Sequence, residues 1–312
     1  MSDEKKVIAV VGPTAVGKTK FAIKVAEYFD GEIVSCDSMQ LYRYMDIGSA
    51  KPTEDEMKQV RHHLVDLIDP RTDFSVAQYQ KLAKEAISDI LSRGKLPVIS
   101  GGTGLYLNSL VYEMDFSAAP GDAAYREKLY QIAEKNGCDV LHKMLAANDP
   151  QAALSIHPHN IKKVVRALER LREGEGRVRQ FRSIKQKTKD YDVIMICLTR
   201  NRDELYDRIN RRVDTLIEKG LMDEVSMLAD MGLTEDNISM KGIGYKEIMS
   251  YYSGFCSREE AIDKIKKNTR NYAKKQLTWF RRYDRMKWYN ISDYDSDDDA
   301  AEVIISWLRE SI

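Results

Sequence analysis

Residues 12–19 read Gly-Pro-Thr-Ala-Val-Gly-Lys-Thr: a glycine, four free positions, then Gly-Lys-Thr. Gly12, Pro13, Thr14, Ala15, Val16, Gly17, Lys18 and Thr19 therefore fit the phosphate-loop pattern in full. Backbone N–H groups in such a loop surround a phosphate chain, and the helix behind it turns its positive end the same way. Lys18 adds a point charge and Thr19 a hydroxyl suited to Mg²⁺. The flanks agree with the motif. Val7–Val11 reads as a buried strand leading in, and Phe21, Ala22, Val25, Ala26 and Phe29 recur at helical spacing behind it. The pattern specifies a polyphosphate without saying which one.

Two further groups have chemical potential. Asp37 ends an apolar run, Glu32-Ile33-Val34-Ser35-Cys36. A carboxylate at a strand end beside a phosphate site can hold Mg²⁺ or act as a base; spacing alone leans toward the metal role. Gly101-Gly102-Thr103-Gly104-Leu105-Tyr106 follows another strand and reads either as a plain glycine turn or as a second substrate loop. The adjacent His62 and His63 lack any further ligand pattern, so a structural role is expected for them. Cys36, Cys138, Cys197 and Cys256 are too widely spaced for a zinc site or a disulfide framework, which points to a reducing compartment.

These groups need a frame that brings distant strand ends together. Beyond the first strand and helix, the expected elements are a strand at Glu32–Cys36, a third strand over Leu64–Ile68, and a helix capped by Ser75. That helix carries Val76, Tyr79, Leu82, Ala86, Ile87 and Ile90 and ends at Gly94. Pro97–Ser100 is a further strand. Alternation of this kind implies an α/β fold, a P-loop NTPase-like core on a parallel sheet. Ligands of such sheets sit at the carboxyl ends of the strands, where the loop at 12–19, Asp37 and Thr103 all fall.

Residues 114–193 read as a mainly helical insertion in that core. A linker is expected at Ala118–Gly121, with turns at Asn136-Gly137 and Asp149-Pro150. A helix over about 160–172 carries the stripe Ile161, Val164, Val165, Leu168 and Leu171 and ends at Gly174 and Gly176. Tyr191–Leu198 returns to strand composition. The expected division is a core of 1–113 plus 194–312 and an insertion of 114–193, with the C-terminal region helical from 203 onward. The acid-rich stretch 292–299 reads as a solvated loop.

The 312-residue chain has zero formal net charge, distributed unevenly. Residues 162–189 hold eleven Lys or Arg against three acids, and 264–287 hold ten against one. Two basic blocks in a neutral chain suggest a local polyanion site. The N-terminal Met1–Lys6 runs straight into the first strand, and no apolar run is long enough to span a membrane. The expected address is cytoplasmic.

With these residues in view, the chain resembles the tRNA dimethylallyltransferase (tRNA isopentenyltransferase) family along nearly its whole length. The resemblance is carried by Gly12–Thr19, by Asp37-Ser38-Met39-Gln40-Leu41-Tyr42, by Ile47-Gly48-Ser49-Ala50-Lys51-Pro52 and by His62–Asp66. Gly101–Tyr106 is its most specific piece. Arg166–Glu169, the spaced Arg202, Arg208 and Arg212, Gly242–Glu247 and Thr269–Trp279 complete the series. Val16 stands where the family usually has a small hydroxyl residue, and Gly176–Phe181 departs from its usual short stretch.

The resemblance implies transfer of a prenyl group from dimethylallyl diphosphate to N6 of the adenosine on the 3′ side of a tRNA anticodon. The glycine loop would then hold the donor's diphosphate. Lys18, Mg²⁺ on Thr19 and Arg202 would stabilise its leaving charge, Asp37 would take the amino proton, and Thr103 would lie at the reacting centre. Ser38, Met39 and Gln40 would line the pocket of the turned-out base. Arg126, Lys162, Lys163 and Arg166 in the insertion would face RNA, as would Lys241, Gly242, Gly244, Tyr245 and Lys246. Tyr272, Leu277 and Phe280 are expected in the core. A monomer is the simplest expectation. Three alternatives carry the same loop: a small-molecule kinase using ATP, prenyl transfer to a free adenine nucleotide, and a non-enzymatic RNA-binding scaffold.

Overall fold

A computed structural model describes residues 5–114, 116, 122–172 and 186–312. The expected linker at 118–121 and the glycines at 174 and 176 lie outside these residues, as does the 176–181 departure. Six strands form one sheet: β1 (Lys6–Val11), β2 (Gly31–Ser35), β3 (His62–His63), β4 (Leu96–Gly101), β5 (Asp192–Thr199) and β6 (Lys287–Asn290). Their order is β3-β2-β4-β1-β5-β6, and every pairing is parallel. Val7 to Val11 are all fully buried, as a central strand covered on both faces requires.

The helices in chain order begin with α1 (Lys18–Tyr28), α2 (Glu54–Gln59), α3 (Val76–Ser92) and α4 (Gly104–Val111). Next come α5 (Ala123–Asn136), α6 (Cys138–Asn148), α7 (Pro150–Ser155) and α8 (Ile161–Arg172). The last are α9 (Arg202–Glu218), α10 (Leu221–Asp230), α11 (Tyr245–Tyr252), α12 (Arg258–Phe280) and α13 (Asp297–Ser311). Ser75 caps α3 by accepting the Gln78 N–H, and Gln78 returns the bond in a full capping box.

The chain divides into two compact units, Met1–Val111 with Thr188–Ile312, and Tyr112–Lys187. Residues 188–193, assigned from sequence to the insertion, belong instead with the sheet. The Asp192 N–H already bonds Lys5 O at 2.9 Å, and Asp192 and Val193 pair in register with Lys6 and Val7.

In the larger unit one apolar cluster joins strand residues such as Ile8, Val10, Ile33, Val98 and Ile196 to Ile304 and Leu308 of α13. A second unites α9 to α12 through Val213, Val225, Leu228, Ile248 and Ile265. The smaller unit has its own core, built from Leu129, Leu141, Leu145, Val164, Val165 and Leu168. There Glu169 is 1 % exposed and pairs with Arg126 Nε at 2.7 Å and Arg166 Nη1 at 3.6 Å. Lys162 and Lys163 stand exposed on α8.

The structure corrects three expectations. The third strand is His62–His63 rather than 64–68, because Leu64 and Asp66 adopt φ of +61° and +59° and cannot extend a sheet. Residues 287–290 are an added edge strand within a stretch expected to be helical. The acid-rich 292–299 is not a plain solvated loop. Ser296 caps α13, and Asp297, Asp298 and Asp299 form its first turn, where negative charge is favoured by the helix dipole. Asp298 pairs with Lys20 (2.7 Å) and Lys24 (3.0 Å) of α1.

The two histidines have structural partners. His62 Nδ1 lies 2.8 Å from Val60 O, and His63 Nε2 lies 2.7 Å from Glu32 Oε2. Glu32 is buried and also grips Arg93, and this pairing lowers its pKa from 4.5 to about 2. A depressed carboxylate contributes stability above its unfolded pKa and loses it as pH falls through the folded value. Glu32→Gln is therefore expected to lower unfolding stability by about 2 kcal/mol at pH 7. In urea titrations the gap to wild type should narrow as pH falls from 4.5 toward 2.

Candidate active site

The glycine loop links β1 to α1 as the sequence requires. Gly17 takes φ of +107°, a left-handed conformation that glycine adopts without cost, and α1 starts at the next residue. Lys18 Nζ donates to Pro13 O at 2.9 Å. Two carbonyls are pulled to the outside of the loop. Arg208 Nε donates to Ala15 O (2.9 Å) and Arg200 Nε to Val16 O (3.2 Å). These bonds fix the loop's backbone from behind, while the Val16 N–H closes a turn onto Pro13 O (3.4 Å). Arg200 is itself held by Glu204 (2.7 Å) and Asp297 (2.5 Å).

Gln276 of α12 ties the glycine loop to the second glycine turn. Its Oε1 accepts the Thr14 N–H at 2.9 Å, and its Nε2 donates to Gly102 O at 3.0 Å. Gln276 is 4 % exposed, and a Cβ on residue 102 would come within 2.3 Å of its Nε2, so only glycine fits there. Thr103 closes onto the strand end after β2. Its N–H donates to Cys36 O at 3.1 Å, and its Oγ1 accepts the Ser38 N–H at 3.1 Å. One oxygen of Asp37 accepts the Met39 N–H at 2.9 Å.

All these residues belong to the larger unit, where Thr14, Ala15, Gly17, Lys18, Asp37, Ser38, Met39 and Gln276 border a cleft of about 750 Å³, the size of a small-molecule site, and the others support it from behind. Thr14, Ala15, Gly17, Lys18 and Thr19 line one part of it, and Asp37, Ser38, Met39 and Gln40 another. Thr103 sits directly behind Ser38. The Lys18 pKa is lowered to about 8, first by burial and then by the charge of Arg212, against an opposing pull from Asp37. Arg212 of α9 also lines the cleft. Its pKa is lowered by burial and partly restored by Asp37. Ile209, Val213 and Leu216 flank Arg212 on the same helical face and line the cleft too, giving an apolar wall beside the cationic end.

Several site residues expected from sequence stand elsewhere. Arg202 is exposed, with its guanidinium over the Tyr206 ring at 5.2 Å, and does not line the cleft; Arg212 does. Gln40 is bonded to protein at both ends of its amide, accepting from Ser35 Oγ (3.0 Å) and donating to Ala50 O (3.2 Å). Tyr245 is fully buried, while Lys241, Gly242 and Gly244 line the cleft and Lys246 is exposed. Arg126, Lys162, Lys163 and Arg166 lie in the smaller unit.

Tyr272, expected in the core, faces the cleft at 36 % exposure, with its hydroxyl against Thr103 and Gln276. Burial and the nearby Asp37 carboxylate push its pKa well up, so it remains a neutral donor. Sequence reading missed Gln276 and Tyr272 as site residues. The available signal was their helical spacing, since Ile265, Thr269, Tyr272 and Gln276 line the cleft along one face of α12.

Among the described residues, no group of three or more His, Cys, Asp or Glu could hold a metal ion, and no helix is long and apolar enough to cross a membrane.

The model of the IPP transferase family matches residues 40–283. A tRNA dimethylallyltransferase of Alkaliphilus oremlandii is 49 % identical over 97 % of this chain and 96 % of its own. One from Caldanaerobacter subterraneus is 47 % identical over 97 % of each. Among solved structures, the full-length tRNA isopentenylpyrophosphate transferase of Bacillus halodurans superposes with a TM-score of 0.75 at 44 % identity, covering 98 % of this chain and 96 % of that one. A eukaryotic dimethylallyltransferase acting on tRNA superposes with a TM-score of 0.82 at 28 % identity, covering 98 % of this chain and 80 % of that one. The glycine loop, the strand-end carboxylate and the parallel sheet thus come with close kinship along the whole length: the chain belongs to the IPP transferase family.

Proposed function

We propose that this chain transfers a dimethylallyl group from dimethylallyl diphosphate to N6 of the adenosine 3′ to a tRNA anticodon, releasing diphosphate. The observation that carries this reading is the shared cleft. An anion-binding loop with Lys18 and Arg212, an apolar wall on α9, and the Asp37 carboxylate all border one space. Family kinship favours neither the ATP-dependent kinase nor transfer to a free nucleotide.

The chemistry follows from the parts. The bond from the allylic carbon to the diphosphate oxygen breaks, and its electron pair leaves with the diphosphate. Loop N–H groups, Lys18 and Arg212 stabilise that growing charge; removing one such donor costs about a hundredfold in rate. The adenine amino nitrogen forms the new bond to carbon, and its proton passes to Asp37. Thr103 and Tyr272 stand beside Asp37 and orient the reacting groups. The wall formed by Ile209, Val213 and Leu216 suits the prenyl tail and excludes water from the reactive carbon.

Thr19 lines the cleft, and its hydroxyl would help hold a Mg²⁺ that adds positive charge at the leaving group. Arg202, exposed on Tyr206, is replaced in this role by Arg212. The adenosine must leave its stack to reach the cleft. Lys162 and Lys163, with Lys241 and Lys246, supply exposed charge for RNA phosphates. Arg126 and Arg166 share the buried Glu169, so their charge is partly spent within the protein. The reading needs one chain only and a cytoplasmic setting where tRNA is available.

The direct test is incubation with labelled dimethylallyl diphosphate and bulk tRNA, then nucleoside mass analysis. Prenylated adenosine next to the anticodon is the expected product, whereas phosphoryl transfer from ATP would refute the reading. Asp37→Ala should lower turnover by about a hundredfold or more while stem-loop RNA still binds; undiminished turnover removes Asp37 from the chemistry. The lowered Lys18 pKa sets a pH dependence. Below about pH 8 the ammonium is charged in both free and bound protein, so affinity for dimethylallyl diphosphate is flat. Above it, the free lysine loses its proton and binding must restore it, so affinity falls toward about tenfold per pH unit. Calorimetry across pH 7–10 checks this, and Lys18→Gln should remove the slope.

A further inference from the structure

Two loops that line the cleft are held from behind by buried carboxylates. Glu224 of α10 is 8 % exposed. Its Oε2 accepts the N–H groups of Asp46 (2.7 Å) and Ile47 (2.6 Å). Its Oε1 accepts the Gly48 N–H (3.0 Å) and the Tyr245 hydroxyl (2.7 Å). Gly48, Ser49 and Ala50 then face the cleft. Tyr245 begins α11, directly after Lys241, Gly242, Ile243 and Gly244, which face the same cleft. A Cβ on residue 48 would come within 2.5 Å of the Tyr245 ring, so the two loops meet with no room to spare. Glu247 pins the second loop further, accepting from Gly244 N (2.8 Å) and Asn268 Nδ2 (2.7 Å).

This assembly reaches the residues after Asp37. Ala50 O accepts the Gln40 amide, and Gly242 abuts the Met39 side chain, where a Cβ would lie 2.6 Å from Met39 Cε. The Met39 side chain and the Gln40 amide therefore rest in part on the loops that Glu224 fixes, beside their local bonds to Asp37 and Ser35. The glycine loop is held by a different set, Gln276, Arg200 and Arg208. The Glu224 set thus braces the acceptor side from behind, while Gln276 and Thr103 tie the glycine loop to the strand end at Cys36 and Ser38.

We propose that Glu224 and Tyr245 are positioning residues for the acceptor base. Without touching it, they set the wall of loops 46–50 and 241–245, with Met39 and Gln40, on which the turned-out adenine rests. The assignment of that wall to adenine depends on the prenyl-transfer reading above. A carboxylate binding four donors tolerates the loss of one, but each lost bond frees a loop that must then be ordered by substrate.

Tyr245→Phe removes only the hydroxyl and keeps the three loop N–H bonds. It should raise KM for an anticodon stem-loop about tenfold and leave KM for dimethylallyl diphosphate within about twofold. Glu224→Gln places an amide NH₂ against N–H donors and should shift the same constant further. Direct titration of stem-loop RNA, beside a melting curve for each variant, gives a readout independent of turnover. Unchanged RNA affinity in Tyr245→Phe, or an equal loss for both substrates, overturns the inference. If wild type moves no prenyl group yet RNA binding still weakens selectively, the functional reading fails and the positioning role stands.

Discussion

The bridge made by Gln276 is the contact on which the cleft depends. A single amide in α12 accepts from the loop after β1 and donates to the turn after β4. Val16 anchors the first loop in the core, but the glycines of both segments supply no packing and pay the highest conformational cost for being ordered. The bridge is buried, so losing it would leave an unsatisfied amide and carbonyl as well as two loose loops. It also ties the long basic helix α12 to the cleft, to which its inner face presents Thr269, Tyr272 and Gln276.

The electrostatics of the cleft favour an anionic ligand. Other buried charges in the larger unit have close partners, as Arg200 has Glu204 and Asp297, and Glu32 has Arg93 and His63. Lys18 and Arg212 instead sit together with only Asp37 acting on both, and burial lowers both of their pKa values. Two cations held near each other in a poorly solvated place are relieved by a polyanion. The same Asp37 that partly offsets them lines the cleft with them. Under the proposed transfer it is also the proton acceptor, which puts departure of the leaving group and activation of the nucleophile within one field.

Much of the sheet was legible in the sequence because fully buried parallel strands are unbroken apolar runs. Val7–Val11, Ile33–Val34 and Ile194–Leu198 are such runs. β6 was not legible, since Lys287-Trp288-Tyr289-Asn290 is a short edge strand without alternation. The third strand was misplaced because Leu64–Ile68 has strand composition but left-handed backbone at two of its residues. Of the site, the glycine loop was readable from local spacing, because its chemistry is done by consecutive backbone groups. Gln276, Tyr272 and Glu224 were not. Their partners at Thr14, Thr103 and Gly48 are far away in sequence, and nothing local distinguishes such residues from an ordinary helix face. Among the three spaced arginines of α9, sequence alone did not separate the exposed Arg202 from the inward Arg212; position on the helix face did.

The ion pairs of Asp298 have an effect beyond holding α13 in place. Lys20 and Lys24 lie one turn apart on α1, and one carboxylate from the far end of the chain pairs with both. The far end of the chain thus offsets positive charge at the rim of the cleft, since Lys20 is one of the residues that line it.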